Sequence, residues 1–145
     1  MKKLSQAVQR KATGTLKYPG HALTPQDFLT FVELDEFIDD WTALGLNDEE
    51  DLFALEVAIM ADPKGPDVIK GTAGLRKVRF APSKWNVGRS HGVRVCYVYF
   101  EDFALVVLVI AYSHNEKDNL TPAEKEGIKA YIRQSHRWLS ERTYR

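Results

Sequence analysis

Residues 93–112 read VRVCYVYFEDFALVVLVIAY, and how this stretch folds decides the fold class. Two runs of strand length, Val93 to Phe100 and Phe103 to Tyr112, are rich in β-branched and aromatic residues and meet at Glu101-Asp102, which reads as a β-hairpin. Along the first run Val93, Val95, Tyr97 and Tyr99 take one side, and Arg94, Cys96, Val98 and Phe100 the other, as the period of two in a strand requires. A third strand precedes the pair. In Leu75–Phe80, Leu75, Lys77 and Arg79 share one side, while Arg76, Val78 and Phe80 share the other.

Working toward the N-terminus, the period changes to that of a helix. Phe37, Ile38, Trp41 and Leu44 fall at helical spacing after Asp35, a cap candidate, and Gly45 is placed to stop the turn. Asn47-Asp48-Glu49-Glu50 then reads as a helix start, with Asn47 as cap and Glu50 at the capping-box position. Leu52, Leu55 and Ile59, flanked by Phe53, Val57 and Met60, give that helix a broad apolar face up to Ala61, where Asp62-Pro63 ends it. Phe31-Val32 is a short strand ahead of this helical hairpin. Toward the C-terminus, Thr121-Pro122-Ala123-Glu124 combines a cap, a proline in the first turn and a capping-box glutamate. Ile128, Tyr131, Ile132, Ser135, Trp138 and Leu139 follow on one stripe, and Trp41, Trp138 and Tyr131 are expected in the core. The order strand, helix, helix, three strands, helix predicts an α+β fold: a helical hairpin on a small, mainly antiparallel sheet, closed by a C-terminal helix.

Residues 1–29 form a basic extension with no sustained apolar period, expected to be a mobile tail or a loosely docked arm beside a domain spanning 30–145. The whole chain has 145 residues, 44% of them hydrophobic, and no net charge. That composition suits one folded domain and argues against disorder throughout. The longest apolar run, Phe103 to Ala111, falls short of a membrane helix. The N-terminus lacks the apolar segment of a secretory signal, and a single cysteine, Cys96, cannot form an internal disulfide. The cytoplasm is the expected compartment.

Neutrality hides a partition. Residues 30–67 carry twelve acids against one lysine, whereas residues 68–100 carry seven Lys/Arg and no acid. Such segregation can build a basic face on a neutral protein, suited to a polyanion or to an acidic protein partner. Lys77, Arg79 and Arg94 are expected on one face of adjacent strands. Like charges side by side cost stability, so either the face is simply solvated or it binds phosphate; the density of cations favours phosphate. Arg76, Lys84 and Arg89 could extend the patch, Trp85 or Tyr112 could pack a base, and His114, just past the last strand, could move a proton. The four histidines and one cysteine show no zinc spacing, and Gly71-Thr72-Ala73-Gly74 lacks the lysine and helix of a phosphate-binding loop. Neither a metal nor another cofactor is expected.

The block Asp62-Pro63-Lys64, continued by Asp67-Val68-Ile69-Lys70-Gly71-Thr72-Ala73-Gly74-Leu75-Arg76-Lys77-Val78-Arg79, resembles RelE/HigB-type toxins of bacterial type II toxin–antitoxin systems, the HigB branch above all. Gly92 to Tyr97, Tyr112 to Glu116 and Leu120-Thr121 continue the likeness in order and spacing, over roughly residues 30–133. The resemblance implies a RelE-like fold and a ribosome-dependent endoribonuclease. In such an enzyme the RNA 2′-hydroxyl attacks the adjacent phosphate without a metal, and cations stabilise the transition state. It transfers the cation roles to Lys77, Arg79 and Arg94; the family's acid/base pair does not carry over, and proton transfer is assigned to His114, which stands where the family pattern has a lysine. Arg76, Lys84, Trp85, Arg89 and Tyr112 become substrate-binding candidates. Asn115 stands where the family pattern has an arginine, and Thr121 where it has a tyrosine. The implied partners are a HigA-like helix-turn-helix antitoxin, the ribosome with its mRNA, and operator DNA only through the antitoxin; no membrane is involved. A ParE-like gyrase inhibitor and a catalytically inactive, antitoxin-binding regulatory domain are the alternatives.

Overall fold

The computed structural model describes residues 16–18, 21–116 and 120–143. Four strands form one sheet: β3 (Thr30–Glu33), β4 (Leu75–Phe80), β5 (Val93–Phe100) and β6 (Leu105–Ser113), in the order β3-β6-β5-β4. The two pairings within β4-β5-β6 are antiparallel, and the edge strand β3 runs parallel to β6. Two further strands, β1 (Leu16–Tyr18) and β2 (His21–Leu23), pair with each other in a separate antiparallel ladder. The α+β architecture read from the sequence is the one observed.

The β5–β6 turn is a 3-10 turn, Glu101–Phe103, followed by Ala104 with φ +50°. From that turn the register runs regularly to the Tyr97–Leu108 pair and then shifts, so that Cys96 faces Ile110 and Val109 is the extra residue of a bulge. A bulge inverts the side-chain phase of everything beyond it. Val106, Leu108 and Ala111 therefore pack into one core, and Val107, Val109, Ile110 and Tyr112 into the other. Plain alternation along residues 103–112 does not reveal this switch.

Two helices, α1 (Asp35–Ala43) and α2 (Phe53–Ala61), cover one face of the sheet. Phe37, Trp41, Leu55, Val57 and Ile59 are buried there against Phe80, Val93, Val95 and Tyr97. Trp41 stacks on Phe37 with ring centroids 5.2 Å apart, and its indole N–H donates to the Asn47 carbonyl at 3.0 Å, satisfying the one polar group of a buried indole. Gly45, at φ +78°, turns the chain out of α1 as expected.

Two details of the helix starts depart from the sequence reading. Asp35 is the first helical residue, and Leu34, ahead of it, supplies no side-chain cap. The start of the second helix is one turn of π-helix, Asp48–Leu52, capped by Asn47 Oδ1 accepting from the Glu50 and Asp51 amides. The wider turn moves the reciprocal bond from Glu50 to Asp51, whose Oδ2 accepts from the Asn47 amide at 2.9 Å.

A long helix, α3 (Pro122–Thr143), covers part of the opposite face. Thr121 and Glu124 form the expected capping box, with bonds of 3.1 and 2.8 Å. Ile132 is buried with Leu75, Cys96, Val98, Phe100 and Val107, and Ile128 and Leu139 pack beside it. Tyr131 and Trp138 do not join that core: they are 36% and 54% exposed. They lie one step around the helix from the Ile128–Ile132–Ser135–Leu139 row, where the guanidinium of Arg142 sits 4.6 Å from the Trp138 ring.

Of the N-terminal extension, residues 1–15 and 19–20 lie outside the described residues. Residues 23–29 are tied to the domain. Leu23 is buried in the core under α1 and α2, Phe28 and Leu29 pack against it, and the Leu29 amide lies 3.4 Å from the Met60 sulfur. These apolar residues belong to strands of three residues or to irregular chain, so no period announces them.

Candidate functional site

Alternation divides the cations of β4 and β5 between the two faces. Leu75, Lys77 and Arg79 lie on the α3 face, with Leu75 in its core and Lys77 lining a cavity with Cys96 and Tyr112. Arg94 shares that face, two residues before Cys96. In register, Arg79 is the cross-strand partner of Arg94, and Arg94 of Tyr112. The structure therefore brings Lys77, Arg79, Arg94 and Tyr112 together. Tyr112 is there because of the bulge: with unbroken alternation it would face the helical hairpin.

The three cations differ in setting. Arg79 is exposed, and its side chain makes no hydrogen bond or ion pair with the described residues. Arg94 is half-buried and held: Nη1 donates to the Arg89 carbonyl at 3.3 Å and Nη2 to the Ser90 carbonyl at 3.1 Å. Those carbonyls belong to a 3-10 turn, Arg89–His91, that leads into β5. Gly92 closes the turn against the Phe80 carbonyl so tightly that a Cβ at this position would collide with it, fixing the turn relative to β4. Lys77 lies deeper, in a cavity of about 450 Å³ between α1, the sheet and the start of α3.

That cavity mixes signs. Besides Lys77 and Lys125 it is lined by Glu36, Asp40, Glu116 and Glu124. Beyond Leu108, β6 no longer has β3 beside it, and carboxylates take up its outward amides. Asp40 Oδ2 accepts from Ala111 at 3.0 Å and Glu116 Oε1 from Ser113 at 2.8 Å. Burial raises the pKa of Asp40; the Ala111 bond works against this, and the nearby Glu116 and Asp39 add to it.

His114 follows β6, its amide bonded to the Gly92 carbonyl at 3.1 Å. Its ring meets that of His91 edge-on, with centroids 5.0 Å apart and an interplanar angle of 62°. His91 in turn has Nδ1 3.1 Å from the Ser90 hydroxyl. Arg89 is exposed on the same turn. The sequence marks His91 only by its place three residues before Arg94, at the start of the strand that pairs with the end of β6. Asn115 is a turn residue whose Oδ1 accepts from the Ser113 hydroxyl at 2.6 Å, and Thr121 is the cap of α3.

The other candidates are not gathered here. Arg76 points to the opposite face, where Nη1 donates to the carbonyls of Lys64 and Pro66 at 3.0 and 2.6 Å. Lys84 donates to the Gly45 carbonyl at 2.9 Å and pairs with the buried Asp51 at 2.9 Å, joining the loop after β4 to the α1–α2 turn. Trp85 packs against the core under α1 and α2. The phenol of Tyr97, also on that face, donates to the Pro63 carbonyl at 2.8 Å. Burial pushes its pKa well above the ordinary range despite the opposing charge of Arg76, with Asp62 adding to the rise, so it keeps its proton.

Chemically, the α3 face offers guanidinium groups for a phosphate and a half-buried tyrosine ring, and two imidazoles stand beside the start of β5 and the end of β6. Among the described residues no group of three or more His, Cys, Asp or Glu side chains is placed to hold a metal ion. None of the described helices is long and apolar enough to cross a membrane. No protein-family model matches the chain.

Proposed function

We propose that the chain is a toxin of the RelE/HigB type: a metal-independent, ribosome-dependent mRNA endoribonuclease of the cytoplasm, neutralised by a cognate HigA-like antitoxin. The observation that carries this reading is the shared face of Lys77, Arg79, Arg94 and Tyr112, with His114 just past the end of β6, two residues after Tyr112. In the proposed reaction His114 takes the proton of the 2′-hydroxyl as its oxygen attacks the adjacent phosphorus. Arg79 and Arg94 offset the charge that builds on the non-bridging oxygens, and Lys77 adds to the field from below. The products are a 2′,3′-cyclic phosphate and a 5′-hydroxyl. Tyr112 offers a ring to a neighbouring base. Operator DNA would be reached only through the antitoxin.

A second reading, a protein-binding regulator or gyrase inhibitor that cleaves nothing, is favoured by one observation. Four carboxylates line the cavity that holds Lys77, and acids repel a phosphate there. Primer extension on an mRNA in a bacterial translation extract separates the two. The nuclease reading expects new cuts within codons that vanish when initiation is blocked. Cuts on naked RNA would make the protein a ribosome-independent ribonuclease. An extract that translates normally, with no cuts, would overturn the nuclease reading in favour of the second.

A further inference from the structure

Resting on the ribonuclease reading, we propose that His91 is its second catalytic residue, the acid that protonates the leaving 5′-oxygen, with His114 as the base. Transphosphorylation moves two protons, one off the 2′-oxygen and one onto the 5′-oxygen, and in an in-line reaction the two oxygens lie on opposite sides of the phosphorus. One histidine can serve both only by relaying a proton around the phosphate. Here two imidazoles stand in edge contact, 5.0 Å between centroids, on the chain segments either side of the Gly92–His114 backbone bond. The turn that carries His91 also supplies the carbonyls that aim Arg94, so the acid and a phosphate-binding cation share one rigid support.

The neighbour of the His91 ring is compatible with the acid role. The Ser90 hydroxyl lies 3.1 Å from His91 Nδ1; in the imidazolium form, with a proton on each nitrogen, Ser90 Oγ can accept the Nδ1 proton and Nε2 is left to give its proton away. The step balances. A nitrogen of neutral His114 removes the 2′-hydroxyl proton and the O2′–P bond forms. The P–O5′ bond breaks, its electron pair goes to O5′, and that oxygen takes the Nε2 proton of His91. His114 ends as imidazolium and His91 as neutral imidazole, so the pair keeps its total charge while Arg79 and Arg94 hold the phosphate.

A substrate with sulfur in place of the 5′-bridging oxygen tests the assignment, because a thiolate departs without being protonated. Ribosomes programmed with mRNA carrying that substitution at the cleaved linkage, or the ordinary linkage, are treated with the parent, His91→Ala, His91→Asn and His114→Ala, each checked for an unchanged melting temperature. On the ordinary linkage both His91 variants and His114→Ala are expected to cut about 100-fold more slowly than the parent. On the sulfur linkage the His91 variants regain the parental rate and His114→Ala stays slow. His91 variants that cut the ordinary linkage at the parental rate, or remain equally slow on both, overturn the acid role and leave the ribonuclease reading standing. A parent that cuts neither substrate removes the ribonuclease reading and the acid role with it.

Discussion

The two faces of the sheet use the same residue types for different ends. On the face under α1 and α2, every cation candidate is tied into the fold: Arg76 to the carbonyls of Lys64 and Pro66, Lys84 to Gly45 and the buried Asp51. On the opposite face, α3 packs over the end near the β5–β6 turn, where His136 lies against Phe100 and Phe103. The other end is left to Arg79, Arg94, His91 and His114. Arg76 and Arg79 are three residues apart on one strand and meet different fates because a strand sends neighbours to opposite sides. Counting cations along residues 68–100 therefore overstates what any one face holds; assigning each to a face separates the charges tied into the fold from those left to the proposed site.

Substitutions on the helical-hairpin face should cost stability first, beginning with the largest. Trp41→Ala removes a fully buried ring stacked on Phe37 and a hydrogen bond to Asn47, and should lower unfolding free energy by about 3–5 kcal/mol in a denaturant titration. A loss below about 1 kcal/mol would mean that this face is not the main core. Lys84→Ala leaves the buried Asp51 carboxylate with the Asn47 amide alone and should cost about 1–2 kcal/mol, less than a fully buried pair because Lys84 is half-exposed. On the ribonuclease reading, cleavage per folded molecule should stay at the parental level; a loss of cleavage without a loss of stability would return Lys84 to the proposed site.

Two smaller effects probe the edges of the α3 face. Trp138→Ala should change stability by no more than about 0.5 kcal/mol, since the ring is 54% exposed; a core-sized loss would restore it to the packed stripe. Asp40→Asn keeps an acceptor for the Ala111 amide and removes a charge that burial and Glu116 disfavour. Because the folded state holds this proton more tightly than the unfolded chain, Asp40 favours folding at low pH, and that contribution is lost as pH rises through its raised value. The variant should melt slightly higher than the parent at neutral pH, and the gap should close as the pH falls below the ordinary aspartate range.

Much of this division was legible in the residues. The period of two in Leu75–Phe80 and Val93–Phe100 sorts Lys77, Arg79 and Arg94 onto one side with no further information, and the caps Asn47 and Thr121 mark helix starts through local bonds alone. What escaped depended on chain segments meeting in space. The bulge at Val109 leaves no mark in a run of uniformly apolar residues, so the placement of Tyr112 beside Arg94 follows only from the β5–β6 register. Pairing of His91 with His114 needs the same register. Trp138 fits a broad helical stripe, yet α3 touches the sheet along one narrow row, which helical period alone does not narrow further. Leu23 sits in a three-residue strand too short to show a period.

The contrast between Arg79 and Arg76 tests the division of the faces most directly. Arg79→Ala and Arg76→Ala are compared for melting temperature and for mRNA cleavage on the translating ribosome. Arg79→Ala should melt with the parent and cut about 100-fold more slowly. Arg76→Ala, which frees two backbone carbonyls and loosens the loop before β4, should melt lower and cut at the parental rate where both are folded. Parental cleavage by a folded Arg79→Ala would contradict the assignment of the open face as the phosphate site.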